Sequence, residues 1–111
     1  MAYHEFGIME NNPKDDKRYD EYDPKKYKCI KINDDFIEPL LPEFKDILCY
    51  WHTLKLPNRN LAYCGITLIP PESIDLFITI FMKQYENEFK EIILLFQQAK
   101  KGDKYIIHFG I

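Results

Sequence analysis

The chain has 111 residues, 46% of them hydrophobic and 30% charged, enough for one core and too few for two. A net charge of −3 argues against a nucleic-acid binder, whose basic surface must displace counterions from phosphates. Three widely spaced cysteines, Cys29, Cys49 and Cys64, with no CxxC pair, disfavour a zinc site or a disulfide framework and imply a reduced, cytoplasmic protein.

The opening segment MAYHEFGIMENNPKDD has no basic start followed by an apolar run, so it does not read as a signal peptide. No stretch approaches the ~18 apolar residues of a membrane helix. Within it, YHEFGIM is expected to add an edge strand or to cross a face of the sheet. Residues 10–28 are charged, polar or Tyr, with turn signals at Asn11-Asn12-Pro13 and Asp23-Pro24. Tyr19, Tyr22 and Tyr27 are unusual for a linker, so this is read as an ordered arm lying over the domain. The chain is thus expected to be a single domain, 1–111, with an arm at 1–28 and an α+β core at 29–111.

KCIKI at 28–32 is β-prone, and Asn33-Asp34-Asp35 offers a helix N-cap. The apolar residues from Phe36 to Leu48 have near-helical spacing, interrupted by Pro39 and Pro42. Proline removes an interior hydrogen bond, which predicts two short turns or a helix starting near Pro39. CYWHTL at 49–54 and LAYCGITLI at 61–69 flank the polar KLPNRN, the pattern of a hairpin. Pro70-Pro71-Glu72 opens a helix whose apolar residues run from Ile74 to Phe96. One rod over 72–101 would be roughly 45 Å long, so a break is expected near 84–88. Lys100-Lys101-Gly102 stops it, and KYIIHFGI forms a last strand. This order predicts an antiparallel sheet with two helical segments on one face, in ferredoxin-like βαββαβ order.

Strand alternation puts Cys49, Trp51 and Thr53 on one face, with Tyr50, His52 and Leu54 on the other. Taking Ala62, Cys64, Ile66 and Leu68 as core leaves Tyr63 and Thr67 outside. His108 joins them if Ile107 and Phe109 point inward. An open-face cluster of His4, Tyr50, His52, Tyr63 and His108 is one candidate site, suited to acid–base or ligand chemistry. No HxH, HxxxH or HExxH spacing supports a metal, and neither a GxGxxG nor a P-loop motif is present; no catalytic residue, metal or cofactor is assigned. Three separately partnered histidines are the plainer reading. Cys49 and Cys64, near each other in the hairpin, read as small core residues rather than a redox pair.

The other candidate is a recognition surface on the arm, formed by Asp15, Asp16, Tyr19, Asp20, Glu21, Tyr22 and Asp23, with Arg59 from the polar loop. Tyrosines supply anchors and carboxylates steer a basic partner. CYWHTL, LAYCGITLIPPES and IHFGI resemble short bacterial proteins associated with immunity to polymorphic toxins and contact-dependent inhibition systems. That resemblance, spread along most of the chain, implies a non-enzymatic protein that binds and neutralises a toxin domain, as a monomer or weak homodimer without nucleic acid or membrane. The alternative is a small enzyme or ligand-binding domain using the histidine face.

Finally, residues 3–9 and 105–111 both carry Phe-Gly-Ile beside a histidine. This echo is read as packing, with Phe and Ile anchoring strands and Gly allowing close approach.

Overall fold

The computed structural model describes residues 2–111. Its elements are β1 (Tyr3–Ile8), β2 (Ile30–Asn33), α1 (Asp34–Ile37), a 3₁₀ segment (Glu38–Phe44), β3 (Leu48–Trp51), β4 (Pro57–Arg59), β5 (Ile66–Ile69), α2 (Pro71–Lys83), α3 (Lys90–Lys101) and β6 (Ile106–Phe109). The strands form one α+β-type antiparallel sheet in the order β2-β1-β6-β5-β3-β4. This order does not confirm a ferredoxin-like sheet: β2 pairs only with β1, and β1 is an interior strand between β2 and β6 rather than an edge.

Local chemistry accounts for the helical boundaries. Asn33 caps α1, its side-chain oxygen accepting from the Asp35 amide at 2.8 Å. The chain then tightens into 3₁₀ turns containing Pro39 and Pro42, since proline has no amide to give an α-helical ladder. The long apolar pattern after Pro70 breaks as expected: Gln84 is extended and Tyr85 has φ 56°. A rod of roughly 45 Å would overrun the longest dimension of the fold, 36 Å. Folding back instead stacks Phe81 on Phe89 at 4.3 Å and sets Phe96 edge-on to Phe81.

The sheet is buried on both faces. Phe6, Ile69 and Ile106 share one core with Leu40, Phe44, Phe77, Phe81 and Phe96. Their strand neighbours Ile66, Leu68, Ile107 and Phe109 form a second core, against which Tyr19 and Tyr27 of the arm and the adjoining Cys29 pack. Alternation places these two sets on opposite faces. The assignment of Cys49 and Tyr50 to opposite faces holds, but the one for residues 61–69 is inverted. Residues 61–65 are not strand, Thr67 and Ile69 face the helices, and Ile66 and Leu68 face the arm. The intervening polar loop contains β4, which pairs with the far side of β3.

The arm is stitched down through backbone and side chain: the Tyr19 amide donates to the His52 carbonyl at 2.7 Å, and the Tyr105 amide donates to Asn12 Oδ1 at 3.1 Å. Gly7 lets it lie flat. A Cβ there would stand 2.7 Å from both Tyr27 Cβ and the Tyr27 carbonyl oxygen, and 2.8 Å from Cys29 Sγ. Gly110 similarly lies against the Tyr63 backbone, so both glycines of the Phe-Gly-Ile echo permit a close approach. Gly7→Ala is expected to lift the arm and destabilise the fold by about 1–3 kcal/mol, as overpacking does. Limited trypsinolysis should then cut several-fold faster after Lys25, Lys26 and Lys28. Unchanged cleavage would mean that the arm yields without detaching.

Candidate functional site

A line of polar side chains runs through the helix-side core. β1 and β6 are paired so that Phe6 faces His108, and His4, one step along the same face, reaches across to it. His4 Nδ1 and His108 Nε2 are 2.8 Å apart, with the rings stacked at 5.1 Å. On the outer side, His4 Nε2 is 2.8 Å from Asp34 Oδ1, and Tyr63 donates its hydroxyl to Asp34 Oδ2 at 2.6 Å. On the inner side, His108 Nδ1 is 3.0 Å from Thr67 Oγ1, which accepts from the Ala62 amide at 2.8 Å. His4, Thr67 and His108 are all fully buried, at 0% exposure.

One assignment of protons satisfies every link. Because Asp34 can only accept when ionised, His4 must donate from Nε2, leaving Nδ1 to accept. His108 then donates from Nε2 and accepts at Nδ1 from the Thr67 hydroxyl. Thr67 in turn accepts from Ala62. Both imidazoles are neutral in this arrangement, and the dipoles all point toward Asp34, so each bond polarises the next.

The electrostatics agree. Burial holds His108 well below the ordinary 6.5, helped by the neighbouring His4. Burial also lowers His4, against the hydrogen bond and charge of Asp34, which favour its protonated form. The His4–Asp34 contact is therefore a charge-assisted hydrogen bond from a neutral ring. Burial pushes the Asp34 carboxyl up, but hydrogen bonds from Tyr63 and His4 outweigh it, and the group sits below its usual 3.8. The same Tyr63–Asp34 bond raises the phenol to about 12.

This geometry closes on itself. Thr67 sits where a nucleophile would, but it is enclosed and its oxygen already accepts from a backbone amide. Among the described residues, no buried side-chain nitrogen or oxygen lacks a hydrogen-bond partner. Nor does any group of three His, Cys, Asp or Glu side chains among them converge to hold a metal ion.

The five residues of the expected open-face cluster thus separate. His4, Tyr63 and His108 come together with Thr67, which strand alternation had set beside Tyr63 and His108 but outside the named cluster, and with Asp34, which it did not include. Tyr50 packs in the other core. His52 turns out of β3 at φ 66° and clasps the arm: its Nδ1 is 2.7 Å from Asp20 Oδ1 and 3.2 Å from the Tyr19 carbonyl. No open sheet face remains for them to share. The expectation failed because Ile107 and Phe109 face the arm rather than the helices, which leaves His108 on the helix side with Ile106. No sequence spacing links His4 to His108; their only signal was the paired Phe-Gly-Ile echo.

The arm residues divide differently. Asp15, Asp16 and Glu21 are exposed and enter no hydrogen bond or ion pair among the described residues. Asp20 is shared between Arg18, at 2.7 Å, and His52. Asp23 accepts from the Lys26 amide at 3.4 Å. Tyr19 is half-buried. Tyr22 is 62% exposed, yet its ring stands edge-on to Phe109 and its hydroxyl donates to the buried Glu5. Arg59 lies on β4 at the edge of the sheet and donates to the Asp46 carbonyl at 3.0 Å. Of the thiols, Cys49 is buried and pushed up to about 12 by desolvation, whereas Cys64 is exposed.

Among the described residues, no helix is long and apolar enough to cross a membrane. No protein-family model, curated protein or solved structure matches this chain.

Proposed function

We propose that this chain is a non-enzymatic protein-binding module that neutralises a toxin domain presenting a basic patch, in keeping with its resemblance to bacterial immunity proteins. The observation that carries the reading is the arm. Residues 15–23 hold five carboxylates against two basic side chains, and the segment is packed onto the sheet with Asp15, Asp16, Glu21 and Tyr22 turned outward. A fixed acidic surface loses little entropy on binding. Its charge steers a cationic partner, and Tyr22 is an aromatic anchor whose polar end is already satisfied. His4 and His108 are enclosed and mutually satisfied, and His52 is taken up by the arm, which favours binding over the alternative of a small enzyme. A cytoplasmic protein with three free thiols, acting as a monomer or weak homodimer, belongs to the same reading.

The test is capture from the native lysate with wild type and with the triple reversal Asp15→Lys, Asp16→Lys, Glu21→Lys. A protein partner should be recovered that arrests growth when expressed alone and is silenced when this chain is co-expressed. The triple variant should bind it about 10- to 100-fold more weakly, mainly through slower association. A partner without toxicity, or one held equally by the triple variant, would overturn this reading.

A further inference from the structure

Although the chain is acidic overall, lysines gather on one side of it. Two adjoining clefts, of about 620 and 740 Å³, share Ile8, Glu10, Lys26, Tyr27 and Lys28. The first runs between the arm and the C-terminal end of α3, adding Lys101 and Lys104 around a floor that includes Leu95. The second continues under the start of the arm, adding Lys14, Lys17 and the half-buried Tyr19. Six lysines drawn from three parts of the chain therefore surround one concavity. Among the described residues, Glu10 is the only carboxylate lining either cleft.

We propose that this concavity binds a small organic polyanion with a flat ring, of the nucleoside polyphosphate class. Lysine ammonium groups are compact point charges that bind phosphate without a glycine-rich loop, so the absence of such a motif does not bear on this site. The ring finds its surface on Tyr27 and on the apolar floor of Ile8 and Leu95. Lys26 stands 5.5 Å from the Tyr27 ring centre and Lys17 5.0 Å from that of Tyr19, so cation and aromatic face are presented together. Two features oppose an anion: Glu10, and the end of α3, which carries about half a negative charge. The second is weakened because the Gln98 and Lys100 carbonyls already accept from the Gly102 and Asp103 amides. Six cations outweigh both.

Size and charge pattern separate this ligand from a polymer. Each cleft is of small-ligand volume. A longer nucleic-acid strand leaving the clefts along the arm would meet Asp15, Asp16 and Glu21, and that repulsion offsets the gain from counterion release. The site shares Tyr19 with the recognition surface but none of the carboxylates reversed in that test, so either can fail without the other.

The experiment titrates the full chain with ATP, inorganic triphosphate, adenosine and a single-stranded oligonucleotide, by calorimetry and amide chemical shifts. ATP should bind saturably and shift amides around Tyr27 and Lys101. Triphosphate and adenosine should each bind at least about tenfold more weakly. Lys26→Ala with Lys101→Ala should cost ATP about tenfold or more, as expected for two charge-assisted contacts. Lys45→Ala with Lys55→Ala, both outside the clefts, should leave binding unchanged. Absence of saturable binding overturns the proposal, as does an equal loss in the Lys45/Lys55 control. Triphosphate binding as tightly as ATP overturns the ring contact. An oligonucleotide binding more tightly than ATP assigns the cleft to nucleic acid instead.

Discussion

His108→Ala is expected to lower the free energy of unfolding by about 3–5 kcal/mol, read from urea denaturation with the slope unchanged. Two costs add. The ring is fully enclosed among Phe6, His4 and Thr67, so its removal leaves a cavity. It also strips a partner from each neighbour: His4 Nδ1 loses its donor and the Thr67 hydroxyl its acceptor. Buried polar atoms left unmatched cost about 1–3 kcal/mol each. Asp34→Asn keeps the shape and one acceptor oxygen at the wetter end, so it should cost less, about 1–2 kcal/mol. A His108→Ala loss below about 1 kcal/mol, or an Asp34→Asn loss as large as that of His108→Ala, would contradict the order of bonds described here.

Mild acid should unfold the protein through the same two rings. Both histidines are depressed in the fold from the ordinary 6.5, His108 strongly. The unfolded chain therefore takes up protons first as pH falls, and stability drops wherever it binds more protons than the folded state. The stability is fully present above about pH 6.5 and is lost progressively below it, until each folded-state pKa is passed. Each histidine contributes a slope of about 1.4 kcal/mol per pH unit within its window. His108 has the wider window, because Asp34 supports the protonated form of His4. Asp34, also depressed, acts in the same direction, but only below its ordinary 3.8. Urea midpoints from pH 7.5 to 4.5 would show this, and His108→Ala should remove its share of the slope. Equal stability at pH 7 and pH 5 would mean that at least one ring is protonated in the fold.

Elements held by local chemistry were legible in the sequence. The Asn33 cap, the proline-tightened turns, the break after Lys83 and the pairing of the two hairpin strands follow from residue types within a few positions. The faces were harder. Ile66–Ile69 and Ile106–Phe109 are buried at every position, so polar–apolar alternation, which assumes one wet face, has nothing to report. Reading β1 as an edge failed because both its sides are taken, by β2 and by β6, and pairing between strands so far apart in sequence leaves no local signal. The histidine line was illegible because it depends on a register between strands far apart in sequence. Asp34 and Thr67 looked like a cap residue and an ordinary strand residue.

The placement of β6 has a kinetic consequence. β1 with β2 and β5 with β3 are joined by comparatively short stretches of chain, but the seam between these halves pairs β1 with β6. The His4–His108 bond crossing that seam spans 104 residues. Closing so long a loop adds little to the thermodynamic cost, about 0.6 kcal/mol for each doubling of length. It weighs on the rate instead, since contacts between distant residues slow folding by orders of magnitude. Until residues 106–109 are in place, β1 and β5 each carry an unpaired edge of apolar strand, the kind that pairs with other chains. The newly made protein is thus most exposed to self-association just before its final strand slots in.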